Sequence, residues 1–71
     1  MTQLKAAMAG TVFTVNVAEG DEVQVGQVII VLESMKMEIP VETEVSGKVT
    51  AINVQVGDFV NEDDVLAVIE S

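Results

Sequence analysis

The stretch Ser34-Met35-Lys36-Met37 sets a single amine between two thioethers, with Glu33 before it and Glu38 after it. Cations are scarce here: Lys5, Lys36 and Lys48 are the only basic side chains among 71 residues. A lysine amine is a nucleophile toward an activated carbonyl and can carry a group covalently. It attacks only as the free base, and an ordinary lysine, with a pKa of about 10.4, is neutral in only a few molecules per ~10⁴ at pH 7. The stretch therefore reads as an acceptor, deprotonated in the active site of another protein.

Few other side chains offer chemistry. The chain has no cysteine, histidine, tyrosine or tryptophan, and Phe13 and Phe59 are its only aromatics. That removes disulfides, thiolate metal sites, the commonest metal ligand and the usual general base. Carboxylates, hydroxyls and three lysines remain. The composition argues against an enzyme. Asn61-Glu62-Asp63-Asp64 lacks the ligand spacing and central glycine of a calcium loop, and reads as a solvated turn.

A formal charge of −9 repels nucleic-acid phosphates and anionic lipid headgroups, and attracts basic protein surfaces. The apolar run Val28 to Leu32 is far shorter than the roughly 20 residues a membrane helix needs. The N-terminus shows no basic region followed by a long apolar stretch, so a cytoplasmic location is expected.

What positions the lysine is an internal repeat. Shifted by 37 residues, 10–34 aligns with 47–71 without a gap, and 11 of 25 positions are identical, too many for chance. The matches include Gly10/Gly47, Val12/Val49, Gly20/Gly57, Asp21/Asp58 and Glu33/Glu70. One domain over 1–71 is expected, built from half-repeats 1–34 and 38–71 joined at 35–37. Two copies are too few for a solenoid. Two matching halves can instead pack about a pseudo-twofold axis, with the Met35–Met37 joint at one end.

Each half reads as strands. Thr11, Phe13, Val15 and Val17 share one face at period two, as do Thr50, Ile52 and Val54; Val12 and Val49 break that phase and suggest a bulge or a strand buried on both faces. Val28–Leu32 and Val65–Ile69 are β-branched runs typical of strands covered on both faces. Gly20-Asp21, Gly57-Asp58, Gly26 and Asp63-Asp64 mark turns. Residues 28–45 hold no glycine, asparagine or aspartate, so a chain reversal at the joint lacks the usual residues for positive φ. Such a local violation tends to mark a functional site. Pro40 lacks a donor and suits an exposed edge. The expected architecture is all-β: a flattened barrel or sandwich of two antiparallel sheets, with three to four strands per half.

The joint and its flanks resemble the biotinyl/lipoyl carrier domains. The resemblance covers nearly the whole chain: AMAGTV at 7–12, EGDEVQVGQ at 19–27, ESMKME at 33–38 and VGDFVNEDDVLAVIES at 56–71. It is nearest to the stand-alone bacterial biotin/lipoyl attachment proteins. Biotin carriers usually show Ala-Met-Lys-Met and lipoyl domains Asp-Lys-Ala; Ser34-Met35-Lys36-Met37 matches the former with serine for alanine. The resemblance implies a barrel-sandwich hybrid whose lysine lies on an exposed turn between quasi-symmetric halves, here without the protruding thumb of some members. It implies biotin on Lys36, added by a biotin protein ligase, with lipoate as the second choice. Met35 and Met37 would flank the arm as adaptable surface, and Glu33, Ser34 and Glu38 would contribute to ligase recognition. Loaded in this way, the domain would carry an activated carboxyl group between a biotin carboxylase and a carboxyltransferase, itself a non-catalytic monomer. Two other readings remain: an unmodified structural or adaptor module, and a core role for at least one of Met35 and Met37.

Overall fold

Short aliphatic runs separated by glycine- and aspartate-bearing turns produce four strands in each half. The computed structural model describes residues 1–71 as β1 (Thr2–Lys5), β2 (Gly10–Val15), β3 (Glu22–Val23), β4 (Val28–Ser34), β5 (Met37–Glu42), β6 (Gly47–Ile52), β7 (Phe59–Val60) and β8 (Val65–Glu70). They form two antiparallel four-stranded sheets, ordered β1-β8-β6-β3 and β5-β4-β2-β7. A shift of one repeat turns β1 to β4 into β5 to β8, and converts one strand order into the other. The pseudo-twofold axis is thus explicit in the topology.

The halves do not pack side by side as separate layers. Each sheet takes two strands from each half, so the copies interleave. Backbone bonds between strands and loops repeat the symmetry. Val12 N–H donates to Asp58 O at 2.8 Å, and Val49 N–H to Asp21 O at 2.8 Å. Likewise Gly57 N–H reaches Val12 O at 2.9 Å, and Gly20 N–H reaches Val49 O at 2.7 Å. Loops of one copy are bonded to strands of the other.

The strand phase differs from the sequence expectation. Val12 and Val49 are core residues, 1% and 0% exposed, whereas Thr11, Phe13 and Thr50 point outward. The register of β2 against β4 slips between Val12 and Thr14, and that of β6 against β8 slips between Val49 and Ala51. These bulges insert one residue and reverse the alternation. Val15, Val17, Ile52 and Val54 therefore pack against the core although Phe13 does not. A similar slip of β4 against β5, between Val28 and Ile30, buries the adjacent Ile29 and Ile30 together.

Turn chemistry is as the composition suggests. The Asp21 carboxylate accepts from Ala18 N–H at 2.9 Å, its counterpart Asp58 from Gln55 N–H at 2.9 Å, and Asp64 from Asn61 N–H at 2.8 Å. Within Asn61–Asp64, the Asp64 carboxylate thus serves the backbone. Thr43 is the one buried polar side chain singled out in the core, in the place equivalent to Ala6. Its hydroxyl donates to Val45 O at 2.7 Å and accepts from Val45 N–H at 3.1 Å, so burial leaves nothing unpaired.

Candidate functional site

Strands β4 and β5 form a hairpin whose last facing pair is Ser34 and Met37. Only Met35 and Lys36 remain to reverse the chain. Both lie in the left-handed region, with φ of 52° and 64°. This is the backbone of a type I′ turn, which matches strand twist but normally uses Asn-Gly. Side chains there cost about 1–2 kcal/mol per residue, and the β4–β5 ladder beneath supplies the offset. The turn thus sustains local strain while presenting a lysine.

The turn overhangs the sheets, so no second layer covers it. Lys36 is exposed. Met35 is 86% exposed and Met37 56%, so neither methionine is part of the core. Ser34 is half-buried, and Glu33 and Glu38 face each other one step below the turn, both exposed. The six residues singled out from the sequence sit together on one hairpin. Gly10 was not among them. A Cβ there would stand 3.0 Å from Glu33 O and 3.5 Å from Ser34 Cβ, so glycine lets β2 press against the base of the turn. Its match to Gly47 in the repeat was the available signal.

The two sheets treat equivalent glutamates differently. Glu70 faces Lys48, which faces Glu22 on the next strand, giving an alternating Glu–Lys–Glu row. Glu33 faces Glu38 on one side and Thr11 on the other. Opposite charges across a ladder stabilise and like charges repel. On the sheet that carries the lysine turn, Glu33 and Glu38 face no cation across the ladder.

Strain at the turn yields a stability prediction. Met35→Asn places a residue suited to positive φ at the first turn position, and leaves Lys36 in place. Stability should rise by about 1 kcal/mol, seen as a Tm increase of roughly 4–8 °C in a thermal melt. An unchanged or lower Tm would mean that Met35 makes compensating contacts.

Chemically, the site offers an accessible primary amine on a stiff hairpin, with no cleft around it. The two cavities lie elsewhere. One, of about 360 Å³, opens between the edge strands β1 and β5; the other is lined by Asn53, Val54 and Phe59. A group joined to Lys36 would project from the fold instead of entering it. That suits a covalently attached cofactor handed to other proteins, and the residues present fit such a group.

Comparison with known proteins agrees with this geometry. A family model described as "Biotin-requiring enzyme" matches residues 2–69. The biotin/lipoyl attachment protein of Bacillus subtilis (strain 168) is 51% identical over 40 residues, 56% of this chain and 55% of that protein. The biotin-dependent acyl-coenzyme A carboxylase alpha3 subunit of Mycobacterium leprae (strain TN) is 52% identical over 42 residues, 59% of this chain but 7% of that subunit. Among solved structures, Kluyveromyces lactis urea carboxylase superposes with a TM-score of 0.91 at 36% identity, over 97% of this chain and 6% of that one. The chain thus aligns with about half of the attachment protein and with a small part of each carboxylase. With nearly every residue inside the family match, a lysine at the hairpin joint and a barrel shared with carboxylases, the chain belongs to the biotin-requiring family, as one of its biotin/lipoyl carrier domains.

Proposed function

We propose that this chain is a biotin carboxyl carrier, with biotin held in amide linkage on Lys36 and presented in turn to a biotin carboxylase and a carboxyltransferase. The observation that carries this reading is the exposed Lys36 on a left-handed turn without glycine, where the two half-repeats meet. A turn needed only for chain reversal would be more stable as Asn-Gly. A lysine kept there against local preference points to a use for its amine.

Attachment is an acyl transfer. A base in the ligase takes a proton from Lys36, and Nζ attacks the carbonyl of an activated biotin, such as its acyl adenylate. The amide bond forms as the bond to the phosphate oxygen breaks, and AMP leaves with the electron pair. The domain contributes accessibility and position. Once attached, biotin supplies the group that carries the carboxyl, and the protein supplies placement and a high effective concentration. Met35 and Met37 add flexible, uncharged surface beside the arm, adaptable to more than one enzyme.

Lipoate is the second reading, because the Bacillus subtilis relative is named for both groups. Intact mass after co-expression with a biotin protein ligase separates the two. One biotinyl group per chain, with streptavidin capture, is expected. A lipoyl mass promotes the second reading, and an unmodified mass removes the carrier role.

A further inference from the structure

The pseudo-twofold axis supplies an internal control for the two sheet surfaces. Positions related by it occupy equivalent places in the two sheets, so residue types across it can be compared directly. On the sheet opposite the lysine turn, one row across the strands reads Glu70–Lys48–Glu22, charged throughout with a cation between two acids. The equivalent row on the lysine-bearing sheet reads Glu38–Glu33–Thr11–Phe59. Phe13 extends that row, two positions along β2 from Thr11, where the other sheet has Thr50. Diagonal neighbours on adjacent strands stand about 7–8 Å apart, within reach of aromatic rings.

The only two aromatics of the chain thus lie outside the core, on one face, with Phe13 44% and Phe59 66% exposed. In a domain short of large core side chains, both rings are left in water. Next to them sit two carboxylates that face no cation across the ladder. Three strand spacings make the row about 14 Å wide, and the Lys36 turn begins some 7–10 Å beyond it. A standard protein interface covers about 800 Å² per partner, a disc roughly 30 Å across. A partner centred on the turn therefore covers Glu33 and Glu38 and reaches Phe59 at its rim, and one displaced toward β2 covers Phe13 as well.

We propose that the Phe59–Thr11–Glu33–Glu38 row, with Phe13, is the docking surface for the enzyme that acylates Lys36. The inference rests on the carrier reading above. The partner surface has an apolar recess for the phenyl rings and basic side chains opposite Glu33 and Glu38. Charge supports that occupant. An enzyme holding an acyl adenylate must keep cations near its phosphate, and a domain of net charge −9 is drawn to such a mouth. Phenylalanine is enriched at protein interfaces relative to the rest of the surface.

The test measures initial rates of biotin transfer from a biotin protein ligase, with ATP and biotin, against domain concentration. Wild type is compared with Phe13→Thr/Phe59→Thr, with Glu33→Gln/Glu38→Gln, and with Glu22→Gln/Thr50→Ala on the opposite sheet. Threonine suits an exposed strand, and thermal melts establish that each variant is folded. The phenylalanine double variant should raise KM about tenfold, with kcat little changed. The glutamine double variant should raise KM and flatten its dependence on salt, while the opposite-sheet variant behaves as wild type. A wild-type KM in both the phenylalanine and glutamine variants overturns the docking surface and leaves the carrier reading intact. An effect that appears only in the later carboxylation steps overturns it too. No transfer to the wild-type domain removes the carrier reading, and this surface with it.

Discussion

Lys36→Arg will abolish biotin incorporation while leaving the fold unchanged. Arginine keeps the positive charge, but its delocalised guanidinium stays protonated and is not an acyl acceptor under these conditions. Lys36 is exposed at the tip of the hairpin, so the exchange removes no core packing. The thermal melt should stay within about 0.5 kcal/mol of wild type, the usual range for a surface substitution. Intact mass should show no biotinyl group under conditions that fully label the parent chain. Lys5 in β1 and Lys48 in β6 remain as internal controls, because each lies within a strand instead of on a turn. Biotin on either of them in the variant would mean that the ligase does not read the hairpin. The assignment of Lys36 would then fall.

The largest expected loss of stability lies at a glycine far from the lysine in sequence. Gly47 opens β6 at φ 157°, and a Cβ placed there would run into the carbonyl oxygen of Glu70 and the Cα of Ser71. Both obstacles are backbone, which cannot turn aside as a side chain would. Gly47→Ala should therefore destabilise by about 2–4 kcal/mol, combining backbone strain with forced displacement of β8. At about 4–8 °C per kcal/mol for a domain this small, Tm should fall by at least ~8 °C. Gly10→Ala is the matched control. Its Cβ would stand 3.0 Å from Glu33 O, a gap that a small shift opens, so the loss should be nearer 1 kcal/mol. Paired melts of the two variants check the order. Equal losses would show that the two halves tolerate crowding alike, contrary to the geometry.

These two sites show where sequence reading holds. The hairpin was legible because its parts are contiguous: Glu33 to Glu38 adopt their positions through local pairing, and the repeat marks where the chain must turn. The lack of glycine at that turn was visible beforehand, and Met35 and Lys36 do take positive φ. The Gly57-Asp58 turn was legible for a similar reason. Its aspartate bonds an amide three residues away, an interaction any chain with that spacing can make.

The face of β2 was misread for a physical reason. Alternation along Thr11–Val17 looks regular until a bulge inserts a residue, and the bulge arises from pairing with β4, more than ten positions away. Its one local sign is Val12, which breaks the alternation as Val49 does in the other half, and both bulges fall there. Phe13 was grouped with Val15 and Val17 on that count, yet it is exposed while they pack against the core. The role of Gly47 was hidden too, because the carbonyl that excludes a Cβ belongs to a strand near the far end of the chain.

By itself the sequence determined the repeat, the all-β class, the lysine at the joint and the acidic charge. All of these are properties of order and composition along the chain. Only the tertiary structure decided that the halves interleave strand by strand, which residues a bulge turns outward, and that one sheet sets a lysine between its glutamates while the other sets two glutamates face to face. Those outcomes depend on which strands become neighbours. In a sheet, neighbours are chosen by pairing between distant segments, and a one-residue change of register moves a side chain from core to solvent.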